Sequence, residues 1–209
     1  MMNHSRRHPL LHPATQPLIA VLALGPLIWL FSAAALNQLG ANPAEALLRA
    51  TGLWTLRFLC VVLLITPLRW WTGRAEWARL RRMLGLYTFF YAVLHGLAYA
   101  WLDMGFELDA ISRDLSKRPF ALVGFACLVL LLPLAATSFN RAIKMLGAAR
   151  WRRLHQLIYL IAPLAMLHFF WVRASKHRWG EVLVYGAILG GLLGVRAWRA
   201  WRARRTHRA

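Results

Sequence analysis

Six long apolar runs separated by short polar stretches organise the chain: Leu18 to Leu36, Leu53 to Trp70, Met83 to Leu102, Phe120 to Phe139, Leu154 to Val172 and Val182 to Trp198. Each is close to the ~20 residues a helix needs to cross the hydrocarbon core of a bilayer. No water is available there to satisfy the backbone, so runs of this length fold as helices. The pattern predicts an all-α protein, a polytopic bundle of six transmembrane helices. The first run could instead be a cleaved secretory signal, because Arg6 and Arg7 precede it and Ala33-Ala34-Ala35 resembles a cleavage site. Its apolar stretch exceeds a typical signal core, which favours a retained span. The expected divisions are a tail over residues 1–17, a membrane domain over 18–200 and a basic tail over 201–209.

Composition agrees. Hydrophobic residues make up 59% of the 209 positions and charged residues 16%, an excess that a soluble globule has no interior to hold and that a disordered chain would lack. The net charge of +19 would suit a nucleic-acid binder, but its placement argues against one. Eighteen of the 26 Lys and Arg fall in residues 1–17, 69–82, 140–153 and 196–209, with only Glu76 among them. The other side of the membrane receives the remaining eight and six of the seven acids. Cytoplasmic loops carry the basic excess, so both termini are expected in the cytoplasm. The arginine-rich tail then lies against anionic lipid headgroups.

Trp54, Trp70, Trp71, Trp101, Trp151, Trp171, Trp179 and Trp198 cluster at the ends of these runs, where indole rings favour the interface. Gly186, Gly190 and Gly194 give the last run a stripe of small residues suited to close helix approach. Cys60 and Cys127 stand alone in apolar runs, without CxxC or CxxCH, and read as small buried side chains. No dinucleotide-binding or P-loop motif is present and no internal repeat stands out. All loops are short.

Eight histidines remain. His4, His8, His12, His177 and His207 lie in tails or a loop and read as solvated. His95 and His168 lie inside the third and fifth runs, and His155 at the start of the fifth. Ionisable groups in a bilayer are costly and tend to mark functional paths, although a lone histidine can equally serve helix packing. The third and fifth spans run in the same direction. Aligned on their opening motifs Arg81-Arg82-Met83-Leu84 and Arg152-Arg153-Leu154-His155, they place His95 and His168 each 13 residues on, at one depth. Two neutral imidazoles at one level without a counter-charge suit axial ligation of a haem iron. His155 would lie about 20 Å away by helical rise, a spacing that suits a second haem. Its counterpart is Arg82, and on an ideal helix it points away from His168 unless Pro163 rewinds the turn; a capping or headgroup role is the alternative. Arg49, Arg57 and Arg173 are candidate partners for haem propionates, or for lipid phosphate.

The same stretches carry a resemblance. Arg82-Met-Leu-Gly-Leu-Tyr87 leading to Leu94-His95, Lys117-Arg118-Pro119-Phe120, Thr137-Ser138, Arg150-Trp151-Arg-Arg-Leu154-His155-Gln156 and Leu167-His168 together resemble the MsrQ family, haem-binding membrane subunits within the ferric-reductase-like transmembrane proteins. Asn42-Pro43 and Leu64-Ile65-Thr66-Pro67-Leu68 also look like it. The resemblance implies a b-type cytochrome of the bacterial inner membrane with one haem b or two. It would pass electrons from the quinone pool to a periplasmic molybdenum-containing partner, MsrP, in a heterodimer that repairs methionine sulfoxide, the catalytic chemistry residing in the partner. It also implies flavin mononucleotide, for which no residue is assigned. His95, His155 and His168 are the positions matching the family's histidines, with Arg82 in place of a fourth. The rival readings are a stand-alone ferric reductase or cytochrome-b561-like carrier, and a non-redox scaffold or transporter.

Overall fold

The computed structural model describes residues 14–174, 177 and 179–206. His4, His8, His12 and His207 lie outside them. In chain order the helices are α1 (Thr15–Ala35), α2 (Pro43–Thr72), α3 (Trp77–Ala98), α4 (Leu108–Lys117), α5 (Pro119–Ala136), α6 (Asn140–Leu146), α7 (Ala148–Leu154), α8 (Ile158–Ala174) and α9 (Trp179–Thr206). A π-helical turn at Tyr99–Asp103 extends α3, and a 3-10 turn at His155–Leu157 joins α7 to α8. Six of the resulting rods are long and apolar enough to cross a membrane. The protein is an all-α, multi-pass membrane protein.

Several boundaries differ from those expected. The second span begins at Pro43, ten residues before Leu53. Asn42 caps it, its side chain accepting from the Glu45 amide at 3.0 Å, and proline at the first helical position needs no donor. Glu45 and Arg49 pair one turn apart on this added segment, so polar residues that read as loop are helical. Trp54 and Arg57 therefore sit well inside α2, not at its end. The fourth span stops at Ala136, short of Phe139. There the Thr137 and Ser138 hydroxyls each donate to a carbonyl one turn back, of Pro133 and Leu134, at 2.7 Å, local bonds that compete with helix continuation. The loop between the third and fourth spans holds α4, whose Asp114 accepts from the Tyr99 hydroxyl at 2.7 Å and pairs with Arg118. Helix α9 runs on through residues 201–206.

Five spans close into a ring: α2 packs on α3, α3 on α5, α5 on α8, α8 on α9, and α9 on α2. Their inward faces build one apolar centre from residues such as Leu59, Leu63, Leu131, Ile161 and Ala162, with both cysteines buried in it as free thiols. α1 stands outside the ring against α2 and α3. Two tyrosines one turn apart on α3 hold it, Tyr87 and Tyr91 donating to the Ala20 and Ala23 carbonyls at 2.9 Å. The glycine stripe of α9 does not make the expected close approach. A Cβ at Gly186 would merely touch Met166, and at Gly190 or Gly194 would meet nothing. α9 instead buries Val182, Leu189 and Arg196, spaced seven apart, so the stripe lies off the contact face.

Arg196 answers a need that the sequence creates elsewhere. Pro67 has no amide hydrogen, which leaves the Leu63 carbonyl one turn earlier without its helical donor. Arg196, only 7% exposed, donates to that carbonyl from α9. Arg196→Leu is expected to destabilise the bundle by about 2 kcal/mol, the range for a bond to a charged donor. In a double-mutant cycle read by thermal unfolding in detergent, the loss should shrink in a Pro67→Ala background, where alanine restores the missing amide.

Candidate functional site

α3 and α8 barely touch along their backbones, yet they present two imidazoles to one another. The His95 and His168 ring centres lie 6.1 Å apart with planes at 71°. The two rings share one level, as the matched spacing from the opening motifs predicts.

Each ring is fastened by Nδ1 to a carbonyl of a neighbouring helix. His95 Nδ1 donates to the Leu48 carbonyl of α2 at 3.0 Å, with the Thr51 hydroxyl at 3.5 Å. His168 Nδ1 donates to the Phe120 carbonyl of α5 at 2.7 Å. A carbonyl only accepts, so the proton of each neutral ring is on Nδ1 and the lone pair on Nε2. Metal-bound histidines show this arrangement, the outer bond fixing tautomer and ring orientation and raising the basicity of the other nitrogen.

Glycines complete the cradle. Gly52 and Gly124 stand four residues after Leu48 and Phe120, the positions whose amides share the same helical carbonyls. A Cβ at Gly52 would lie 2.9 Å from His95 Cε1, and one at Gly124 2.8 Å from His168 Cε1. Only glycine lets the imidazole reach past the helix surface to the backbone. The α2–α3 and α5–α8 pairs thus repeat one device, although no repeat is visible in the sequence.

The donor set has a definite chemistry. Among the described residues no group of three or more His, Cys, Asp and Glu could hold a bare metal ion. Two opposed imidazoles suit a metal whose other ligands come from a macrocycle. A metal about 2 Å from each nitrogen sets the ring centres about 6 Å apart, which the observed pair matches. Among the described residues neither ring is hydrogen-bonded to a carboxylate.

His155 is placed differently. Its Nε2 lies 3.1 Å from the Thr137 hydroxyl, and its ring packs on Trp151 at 4.1 Å. Trp151 Nε1 donates to the Thr137 carbonyl at 2.9 Å, tying α7 to the end of α5. Arg82 donates to Asn140 at 2.6 Å. Pro163 lies inside the unbroken helix α8, and the irregular turn is the 3-10 turn at His155–Leu157. His177 is exposed in a turn. Arg49 is paired with Glu45, and Arg173, almost fully buried, with Glu181 at 3.0 Å. Arg57 donates to the Tyr185 hydroxyl of α9 at 3.0 Å and lies over the Trp54 ring.

Comparison with known proteins decides the family. Residues 51–166 match the ferric reductase like transmembrane component family, a stretch that holds His95 and His155 and ends just before His168. The protein-methionine-sulfoxide reductase heme-binding subunit MsrQ of Polaromonas naphthalenivorans is 62% identical over 92% of this chain and 88% of its own length. The chain belongs to the MsrQ family. The MsrQ of Ralstonia nicotianae is 48% identical, covering 85% of this chain and 82% of its own. That of Bordetella pertussis is 47% identical over 88% and 89%. No solved structure matches the chain.

Proposed function

We propose that this MsrQ chain is the haem b-carrying membrane subunit of a periplasmic methionine-sulfoxide reductase system. It passes electrons from the quinone pool to a catalytic partner of the MsrP type, which holds molybdenum and repairs oxidised proteins. The observation that carries this reading is the pair of Nδ1-anchored imidazoles, 6.1 Å apart. The relatives are heme-binding subunits by name, which supports it, and the absence of CxxCH favours a haem that is not covalently attached.

In this reading His95 and His168 would hold the haem iron. Haem supplies one-electron chemistry between ferric and ferrous iron. The protein supplies position and electrostatics: the Leu48 and Phe120 carbonyls orient the ligands, Gly52 and Gly124 make room for them, and the apolar centre keeps water away. The basic loops set both termini in the cytoplasm of the inner membrane, which puts the histidine pair toward the periplasm, where the partner docks. Electrons and protons balance without another reactant: a quinol gives two electrons and two protons on becoming the quinone. Methionine sulfoxide takes two of each to yield methionine and water. Flavin mononucleotide belongs to this reading through family resemblance. His155, bonded to Thr137, is the candidate ligand if a second haem is present.

Reconstitution tests this. The purified protein in nanodiscs should be red, be reduced by decylubiquinol, and be reoxidised by the partner subunit only when methionine sulfoxide is present. Reoxidation by ferric chelates but not by the partner would make it a ferric reductase instead. A colourless preparation from haem-replete cells would overturn the reading.

A further inference from the structure

Outside the ring, α1 and α2 leave a groove of about 570 Å³ that no step above uses. Its walls include Pro26 and Trp29 of α1, Trp54, Arg57 and Phe58 of α2, and Leu84 of α3. Leu22 and Trp29 at its rim are mostly exposed, so it opens sideways toward lipid. Arg57 is the one charged residue lining it.

That arginine stands where its charge is costly. It lies eight residues past Arg49 and twelve before Arg69, about 12 Å and 18 Å along the helix, inside a ~30 Å hydrocarbon core. An arginine at such depth marks a functional position by default. Its Nε is committed to Tyr185, and its guanidinium carbon lies 4.6 Å from the centre of the Trp54 ring. Among the described residues its terminal nitrogens bond to no acceptor. The groove therefore offers charge-assisted donors beside an indole, within apolar walls. A phospholipid phosphate stays at headgroup level, away from these donors. A ligand that fits is neutral and lipid-soluble, with a flat ring bearing carbonyl or hydroxyl oxygens.

Position adds a second argument. Gly52, which touches His95, precedes Arg57 by five residues, about 8 Å of rise. Tyr185, the partner of Arg57, packs edge-on against Phe169, the neighbour of His168. The groove is thus connected through packed side chains to both halves of the histidine pair.

We propose that this groove is the quinone site, with Arg57 donating to a ring oxygen, Trp54 and Phe58 against the ring, and the isoprenoid tail leaving past Trp29 into the membrane. The assignment rests on the reading that quinol is the electron donor. The test uses haem-loaded protein in nanodiscs and two probes, decylubiquinol and a photoreactive azido-ubiquinone. The label should fall on α1–α2 peptides and be suppressed by excess decylubiquinol. Arg57→Gln should keep wild-type haem content and dithionite-reduced spectrum while raising the KM for decylubiquinol about tenfold or more, the loss of one charge-assisted bond. Trp54→Leu should weaken labelling in the same way if Arg57→Gln does not fold. Labelling elsewhere with an unchanged KM would overturn the proposal while leaving quinol as donor. Haem loss in Arg57→Gln would overturn it in favour of a propionate contact, and displacement of the label by anionic phospholipid alone in favour of a lipid site. A wild-type protein labelled in the groove but not reduced by decylubiquinol would sink the donor reading and leave the binding site standing.

Discussion

His95→Ala and His168→Ala are each expected to abolish the low-spin spectrum of the haem that the proposed function assigns to this pair and to leave less than about one-tenth of its occupancy. In the proposed reading these two histidines would hold the iron, and the apolar centre offers no substitute donor, since the described residues place no third histidine, cysteine or carboxylate there. Loss of a metal ligand removes both the bond and the fixed position of the metal. The measurement is the haem-to-protein ratio with the oxidised and reduced spectra, in membranes and after purification. His155→Ala is expected to keep the His95–His168 spectrum, because His155 is occupied by Thr137 and Trp151 at the other end of α8; any haem it loses counts a second centre. Full haem content and wild-type spectra in both His95 and His168 variants would show that the iron is held elsewhere.

Gly124→Ala and Gly52→Ala are expected to act almost as strongly, although neither glycine touches a metal. One added methyl would lie 2.8 or 2.9 Å from an imidazole carbon, closer than real contacts allow, so the ring must swing or the helices must part. Ligand positions tolerate about 0.2 Å; a displacement larger than that weakens the bond. We expect reduced haem occupancy, and in the haem that remains a shifted midpoint potential and altered low-spin electron paramagnetic resonance. A merely structural role would lower expression without moving either signature. Gly85→Ala and Gly190→Ala are the controls, since a Cβ there meets nothing. In a helix interior they should be neutral or stabilising by up to about 1 kcal/mol.

The histidine pair was legible from the sequence because transmembrane helices rise regularly, so thirteen residues from matched starts give matched depths. What holds the pair was not. Which carbonyl an imidazole reaches depends on how one helix is rotated against the next, and no periodicity reports that. Gly52 and Gly124 looked like any glycines in an apolar run, whereas the stripe on α9 had the spacing for close packing and faces the wrong way. Spacing states what a face permits, not which face is used. Arg57 was misplaced for a related reason. Glu45 and Arg49 made the first turns of α2 look like loop, although Asn42-Pro43 carried the capping chemistry of a helix start, and an arginine deep in the membrane was counted at its edge. The groove followed the same error, since Trp54 read as an interfacial anchor.

The bond from Arg196 to the Leu63 carbonyl has a consequence for biogenesis. The ribosome delivers α2 to the bilayer more than a hundred residues before it makes α9. Throughout that interval the notch cut by Pro67 has no donor from α9, and only this much later segment closes it. A chain ending short of Arg196 would insert its other helices and still be left with an open seam.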